Sequence, residues 1–264
     1  MPVIDPVMAL IFALLLGLAL GSFYSVCVHR YLTREPIVFA RSKCPLCAHQ
    51  LAWWENIPLL SYLLLRGRCR ACKGRIRLRY PVLEALSGLW SVGLMLKFGP
   101  SGPYALYMVI GGILFVASFI DFEAYILPDV LTLPGVVLAL AGAHFVLLPE
   151  LGVPTLRDSL IGAGAGAGFF WLLQQLYRRL KGREGLGTGD IKLMLLLGGL
   201  LGWQALPIMV TAAAVSALFA SVYYMLKPNA PALQTMVPFG PFLSLGGMVY
   251  VLFGDYYWMW MLHR

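Results

Sequence analysis

The chain has 264 residues, of which 60% are hydrophobic and only 12% charged, with a formal net charge of +8 and a mean hydropathy of +0.79. That balance excludes an ordinary soluble domain and points to an all-α polytopic membrane protein. Attraction to anionic lipid heads at one membrane surface accounts for the basic excess, so no nucleic-acid partner is implied.

Eight apolar runs are expected to be helices, at about 7–28, 80–98, 104–120, 130–148, 160–177, 191–203, 208–226 and 242–253. Most approach the roughly 20 residues that cross a bilayer as a helix. The first is too long for a signal-peptide core and has no basic residue before it, so it reads as a retained span. The sixth run is short. Fusing it to the seventh across Pro207 would give a helix of about 55 Å, far longer than a bilayer needs, so two separate helices are expected. The chain therefore divides into a first helix (1–28), a polar loop domain (29–79) and a seven-helix membrane domain (80–264).

Basic residues sort to alternate loops. Eleven Lys and Arg lie between Cys27 and Tyr80, five between Arg178 and Lys192, and Lys227 falls in a third loop on the same side; only Lys97, Arg157 and Arg264 fall opposite. By the positive-inside rule the long first loop is cytoplasmic and both termini face outward. Within that loop CPLC (Cys44, Cys47) and CRAC (Cys69, Cys72) are separated by 21 residues. Two such knuckles suit four thiolates around one Zn²⁺, and disulfides rarely persist in a reducing cytoplasm. A complete Cys₄ shell leaves no open position, so the metal is expected to be structural. His29 and His49 are expected to be ordinary polar residues, and Cys27 a small apolar side chain. The apolar stretch Trp53, Trp54, Ile57, Leu59, Leu60 and Tyr62 is expected to line the core of this domain or the lipid boundary.

Two aspartates at the edges of apolar runs carry the functional signal. Asp121 ends the third run in FIDFEAYILPD, and Asp190 precedes the sixth in GLGTGD. A carboxylate beside the hydrocarbon layer is costly and reads as functional by default. On the expected topology both lie at the cytoplasmic face, where a pair can share a proton and activate water as in aspartic proteases. Asp190 also reads as a helix N-cap, and Asp129 in LPD as the cap of the next helix and a rival for the catalytic role. Asp121 has no such structural explanation, because a carboxylate opposes the negative end of the helix dipole. Gly185, Gly187 and Gly189 would let a substrate backbone approach. Asp121, Glu123, Asp129, Glu184 and Asp190 would form an acidic rim suited to a basic substrate segment. The run GAGAGAG from Gly162 to Gly168 lies inside the fifth span and reads as helix packing through small residues, not as a nucleotide turn.

These motifs resemble those of the type IV prepilin peptidases, bifunctional leader peptidases and N-methyltransferases. The resemblance runs through GSFYSVCVHR, WWENIPLLSYLLLRGRC with its paired CxxC, RYPVLEAL, IDFEAYILPDVLTLP, GLGTGDIKL and VPFGPFLSLGG, nearly the whole chain. It implies an inner-membrane GxGD aspartic endopeptidase in which Gly187, Thr188, Gly189 and Asp190 form the motif and Asp121 is the partner. It further implies cleavage of a basic leader from prepilins or pseudopilins after a glycine, then methylation of the new N-terminus from S-adenosylmethionine. The first loop is associated with that second activity, which makes Gly67 the candidate cofactor residue, while Glu123, Asp129, Glu184, Gly187 and Gly189 are the candidate substrate-binding residues. Oligomeric state is not legible. The rival readings are a proton- or cation-coupled transporter, since carboxylates also line ion paths, and an assembly scaffold docking partners through the zinc loop.

Overall fold

The computed structural model describes residues 5–36, 42–146, 154–182, 185–226 and 237–262. Among them the regular structure is helical, with two isolated β-bridges. Eight long helices fall on the eight expected apolar runs: α1 (Pro6–Thr33), α3 (Arg79–Phe98), α4 (Gly102–Ala124), α5 (Asp129–Phe145), α6 (Leu156–Lys181), α7 (Thr188–Leu201), α8 (Leu206–Met225) and α9 (Gly240–Leu262); the short α2 (Leu60–Leu64) lies in the first loop. Four segments are long and apolar enough to cross a membrane, Pro6–Thr33, Arg79–Phe98, Gly102–Ala124 and Trp203–Tyr223. α5 is apolar but shorter.

Contacts divide the chain into two compact units, Met1–Val116 and Ala117–Arg264, with the division inside α4. In the first unit α1 packs along α3. The contact runs through small residues, with Gly17 and Gly21 of α1 facing Ser87, Gly88 and Glu84 of α3. Ser91 donates to the Ala13 carbonyl at 2.6 Å and meets the Tyr104 hydroxyl at 2.8 Å, satisfying polar groups that lipid could not. Trp90 donates its indole N–H to the Tyr107 carbonyl at 3.1 Å.

In the second unit α7 is the central helix, packed against α5, α6 and α9. Leu193, Leu196 and Leu197 are fully buried there. Gly162 of α6 and Gly198 of α7 face each other so closely that a methyl on either would overlap the other's backbone, and Gly166 meets Met194 and Leu206. Gly164 and Gly168 have nothing within 4 Å. The glycine run is thus a helix-packing stripe whose members four apart touch the neighbour and whose intervening glycines do not. α6 begins with a capping box, Thr155 with Asp158, and ends at Gly182 in the left-handed region.

α7 has 14 residues, about 21 Å at 1.5 Å per residue. It stops at Gly202, whose φ of 78° breaks the helix, and α8 restarts at Leu206 with Pro207 in its first turn. The two separate helices expected from the sequence are therefore present, and the break lies five residues before the proline rather than at it. Trp203, in the connecting turn, donates to Asp158 at 3.1 Å and ties the break to the start of α6.

Candidate active site

Asp121 sits one turn before the end of α4 rather than at the terminus, since the helix continues to Ala124 and closes with the Tyr125 N–H on the Asp121 carbonyl at 2.9 Å. Tyr125 takes a positive φ of 56°, which turns the chain into ILPD and α5. Asp190 is the third residue of α7, three after its N-cap Gly187. The N-cap role expected for Asp190 is therefore corrected: Gly187 holds that position, and the Asp190 carboxylate reaches back to accept the Gly187 N–H, the half of a capping box that a third-position acid supplies. Asp121 and Asp190 are both buried, 6% and 8% exposed, and each lies within electrostatic reach of the other. They stand 69 residues apart in sequence.

The other carboxylates sort differently. Asp129 does not cap α5, whose N-cap is Pro128; its carboxylate pairs with Lys192 of α7 at 2.6 Å, on an exposed edge. A lysine two residues beyond Asp190 thus offsets one charge of the expected acidic rim. Glu123 is exposed. Glu184 lies outside the described residues. Gly187 is exposed, and a methyl there would be 3.6 Å from Asp190 Oδ2. Buried Gln174 of α6 donates to the Leu186 carbonyl at 2.8 Å and fixes the loop that leads into the motif.

Two neighbours of the aspartates were not singled out from sequence. The Gly240 N–H, at the start of α9, donates to the Asp121 carboxylate, and a methyl at 240 would lie 2.7 Å from Asp121 Oδ2 and 3.0 Å from Leu127 Cδ1. Leu127, buried in the ILPD segment, also fills the space against Gly189, where a methyl would lie 2.9 Å from its Cβ. Gly240 stands inside VPFGPFLSLGG and Leu127 inside IDFEAYILPDVLTLP, but neither motif marks these residues as neighbours of the aspartates.

In the first loop the four cysteines converge, with all four Sγ atoms within 4.8 Å of one another. The two knuckles are built alike. The Cys44 N–H donates to His49 O and Ala48 N–H to Cys44 O, both at 2.9 Å; the Cys69 N–H donates to Gly74 O at 2.8 Å and Lys73 N–H to Cys69 O at 3.0 Å. Ala48 and Lys73 both take positive φ to close these turns. Sγ–Sγ separations are 3.9 Å for Cys44–Cys72 and for Cys47–Cys69. A tetrahedron with Zn–S bonds of about 2.3 Å requires about 3.8 Å, so the donor set fits Zn²⁺. Backbone N–H groups, Cys72's foremost, lower Cys69 to about 6. For Cys47 the His49 N–H pulls the other way, but desolvation and the three neighbouring thiols outweigh it and push that thiol up to about 12. A cation at the centre would hold all four as thiolates. His49 is not a ligand; its ring meets Glu55 at 3.4 Å. Trp53 and Leu60 are exposed, leaving this part of the apolar stretch on the domain surface.

Gly67 takes a φ of 67°, and a methyl on it would lie 2.8 Å from the Tyr62 hydroxyl. Those two constraints account for a glycine at this position.

Residues 15–98 match the Bacterial Peptidase A24 N-terminal domain and residues 108–222 the Type IV leader peptidase family. Curated proteins named prepilin leader peptidase/N-methyltransferase align over nearly the full length. One from Burkholderia pseudomallei is 38% identical, covering 96% of this chain and 88% of the relative. Those of Aeromonas hydrophila (37%; 94% and 92%) and Pseudomonas aeruginosa (35%; 97% and 96%) are similar to the same degree. No solved structure gives a significant match. The buried aspartate pair, the four-cysteine loop and an end-to-end alignment converge, and the chain belongs to the type IV leader peptidase family.

Proposed function

We propose that this protein is a membrane aspartic endopeptidase that removes the leader of type IV prepilins or pseudopilins and then N-methylates the new terminus. Prepilin cleavage and N-methylation are the activities of the relatives named above. The transporter reading has no support in this family. The observation that carries the mechanism is the meeting of two buried carboxylates, one from α4 and one from α7.

Asp121 and Asp190 share one proton and hold a water between them. The ionised carboxylate takes a proton from that water as its oxygen attacks the scissile carbonyl carbon. The protonated partner then gives its proton to the amine nitrogen as the C–N bond breaks. Exposed Gly187 leaves the backbone open for the substrate strand, while Gly189 admits the Leu127 side chain beside it. Cleavage after a glycine, at the cytoplasmic face of a bacterial inner membrane crossed by all eight long helices, completes this reading. Glu123, Glu184 and Asp129 are the acidic groups assigned to a basic leader, with Asp129 engaging it only by giving up Lys192.

Cys44, Cys47, Cys69 and Cys72 would hold Zn²⁺ as a structural tie for the loop. S-adenosylmethionine supplies the methyl group, and Gly67 contributes to that activity through the loop conformation it permits. The mass of a prepilin coexpressed with the protein tests both activities at once. Leader loss plus one methyl is expected, and an unprocessed mass would overturn the assignment.

A further inference from the structure

Three glycines adjoin the carboxylates: Gly187 lies beside Asp190, Gly189 precedes it, and Gly240 donates its N–H to Asp121. Leu127 packs into the glycine-lined space between Gly189 and Gly240. Its Cβ, Cδ1 and Cγ lie 2.9, 3.1 and 3.4 Å from a methyl position on Gly189, and its Cδ1 and Cδ2 lie 3.0 and 3.3 Å from one on Gly240. Leu127 is therefore wedged between the residue before one aspartate and the residue that holds the other. Its side chain is buried, and its own backbone leads directly from α4 into α5, so it has little freedom to withdraw.

We propose that Leu127 is a specificity-determining residue that restricts the substrate residue at the attacked carbonyl to one with no side chain. The inference rests on the peptidase reading of the Asp121–Asp190 pair. A carbonyl carbon placed between the two carboxylates brings its own α-carbon into the same glycine-lined space, and any substituent there competes with the isobutyl group for volume. Close-packed interiors accommodate an added methyl poorly. Discrimination of one methyl by a packed apolar wall is worth roughly 10- to 200-fold in kcat/KM.

The test uses the purified full-length protein in detergent with prepilins carrying Gly, Ala or Val before the scissile bond. Leu127→Ala is expected to raise the Ala-to-Gly ratio of kcat/KM by at least about tenfold, and Leu127→Val to raise it less. An unchanged ratio in both variants overturns the inference, whether overall activity holds or falls. Loss of all activity in both, with wild-type melting temperature and zinc content, also overturns it, because Leu127 would then only position the helices. Asp121→Asn and Asp190→Asn controls separate the two claims. Activity in either control refutes the peptidase reading itself, whereas inactive controls with a flat ratio refute only the role of Leu127.

Discussion

Replacing Gly240 by alanine should damage catalysis without preventing folding. The new methyl would sit 2.7 Å from Asp121 Oδ2 and 3.0 Å from Leu127 Cδ1. Ordinary carbon–oxygen contacts begin near 3.2 Å, so the carboxylate or the start of α9 must move by roughly half an ångström. That movement lengthens the bond from the Gly240 N–H, which is the donor that holds Asp121. A hydrogen bond to a charged group contributes about 1.5–3 kcal/mol, so its loss corresponds to roughly 10- to 150-fold in kcat. The assay is steady-state cleavage of a prepilin by the purified variant, alongside its melting temperature. Wild-type kcat from Gly240→Ala would refute the placement of the Gly240 N–H on the catalytic carboxylate. A fall in melting temperature matching the fall in activity would attribute the effect to packing instead.

Gly162→Ala should destabilise the protein strongly, because the methyl overlaps the backbone of Gly198 and Gly202, whereas Gly164→Ala, which meets nothing within 4 Å, should be neutral or slightly stabilising in thermal unfolding. Asp129→Asn should keep prepilin cleavage within about fivefold of wild type, since an exposed ion pair contributes only about 0.2–1 kcal/mol, and a complete loss would reinstate Asp129 as a catalytic group. Cys44→Ser should abolish the zinc measured by elemental analysis, about one ion per wild-type chain, and expose the first loop to protease. The Ala52 N–H and His49 hold the Glu55 carboxyl below its ordinary value of 4.5. A depressed folded pKa gives stability that is complete above the ordinary value and lost as pH falls from it through the lower folded value, so Glu55→Gln should flatten the loss of loop protection as pH falls below about 4.5.

The helices were legible because bilayer-length apolar runs leave little choice of conformation, and the break between α7 and α8 followed from length alone. The four-cysteine cluster was legible because CxxC spacing encodes a local turn, repeated here with the same hydrogen bonds at both knuckles. Asp121 and Asp190 were legible as a candidate pair through the loop charges and the GxGD pattern, and the fold buries both within electrostatic reach of each other. Errors fell where a residue's partner is set by tertiary contact. Asp129 looked like a cap, but Lys192, 63 residues away, takes its carboxylate. Asp190 is the third residue of its helix rather than the cap, because Gly187 already adopts the extended backbone an N-cap needs. Gly240 and Leu127 stand inside quoted motifs, but their place beside the aspartates left no mark, since a backbone N–H and an apolar side chain announce nothing until the helices pack.

The central claim is that Asp121 and Asp190 together carry out the hydrolysis. Prepilin cleavage by purified Asp121→Asn and Asp190→Asn enzymes, each with wild-type zinc content and melting temperature, tests it most directly. The account predicts that neither processes substrate above background; processing near the wild-type rate by either enzyme would contradict it.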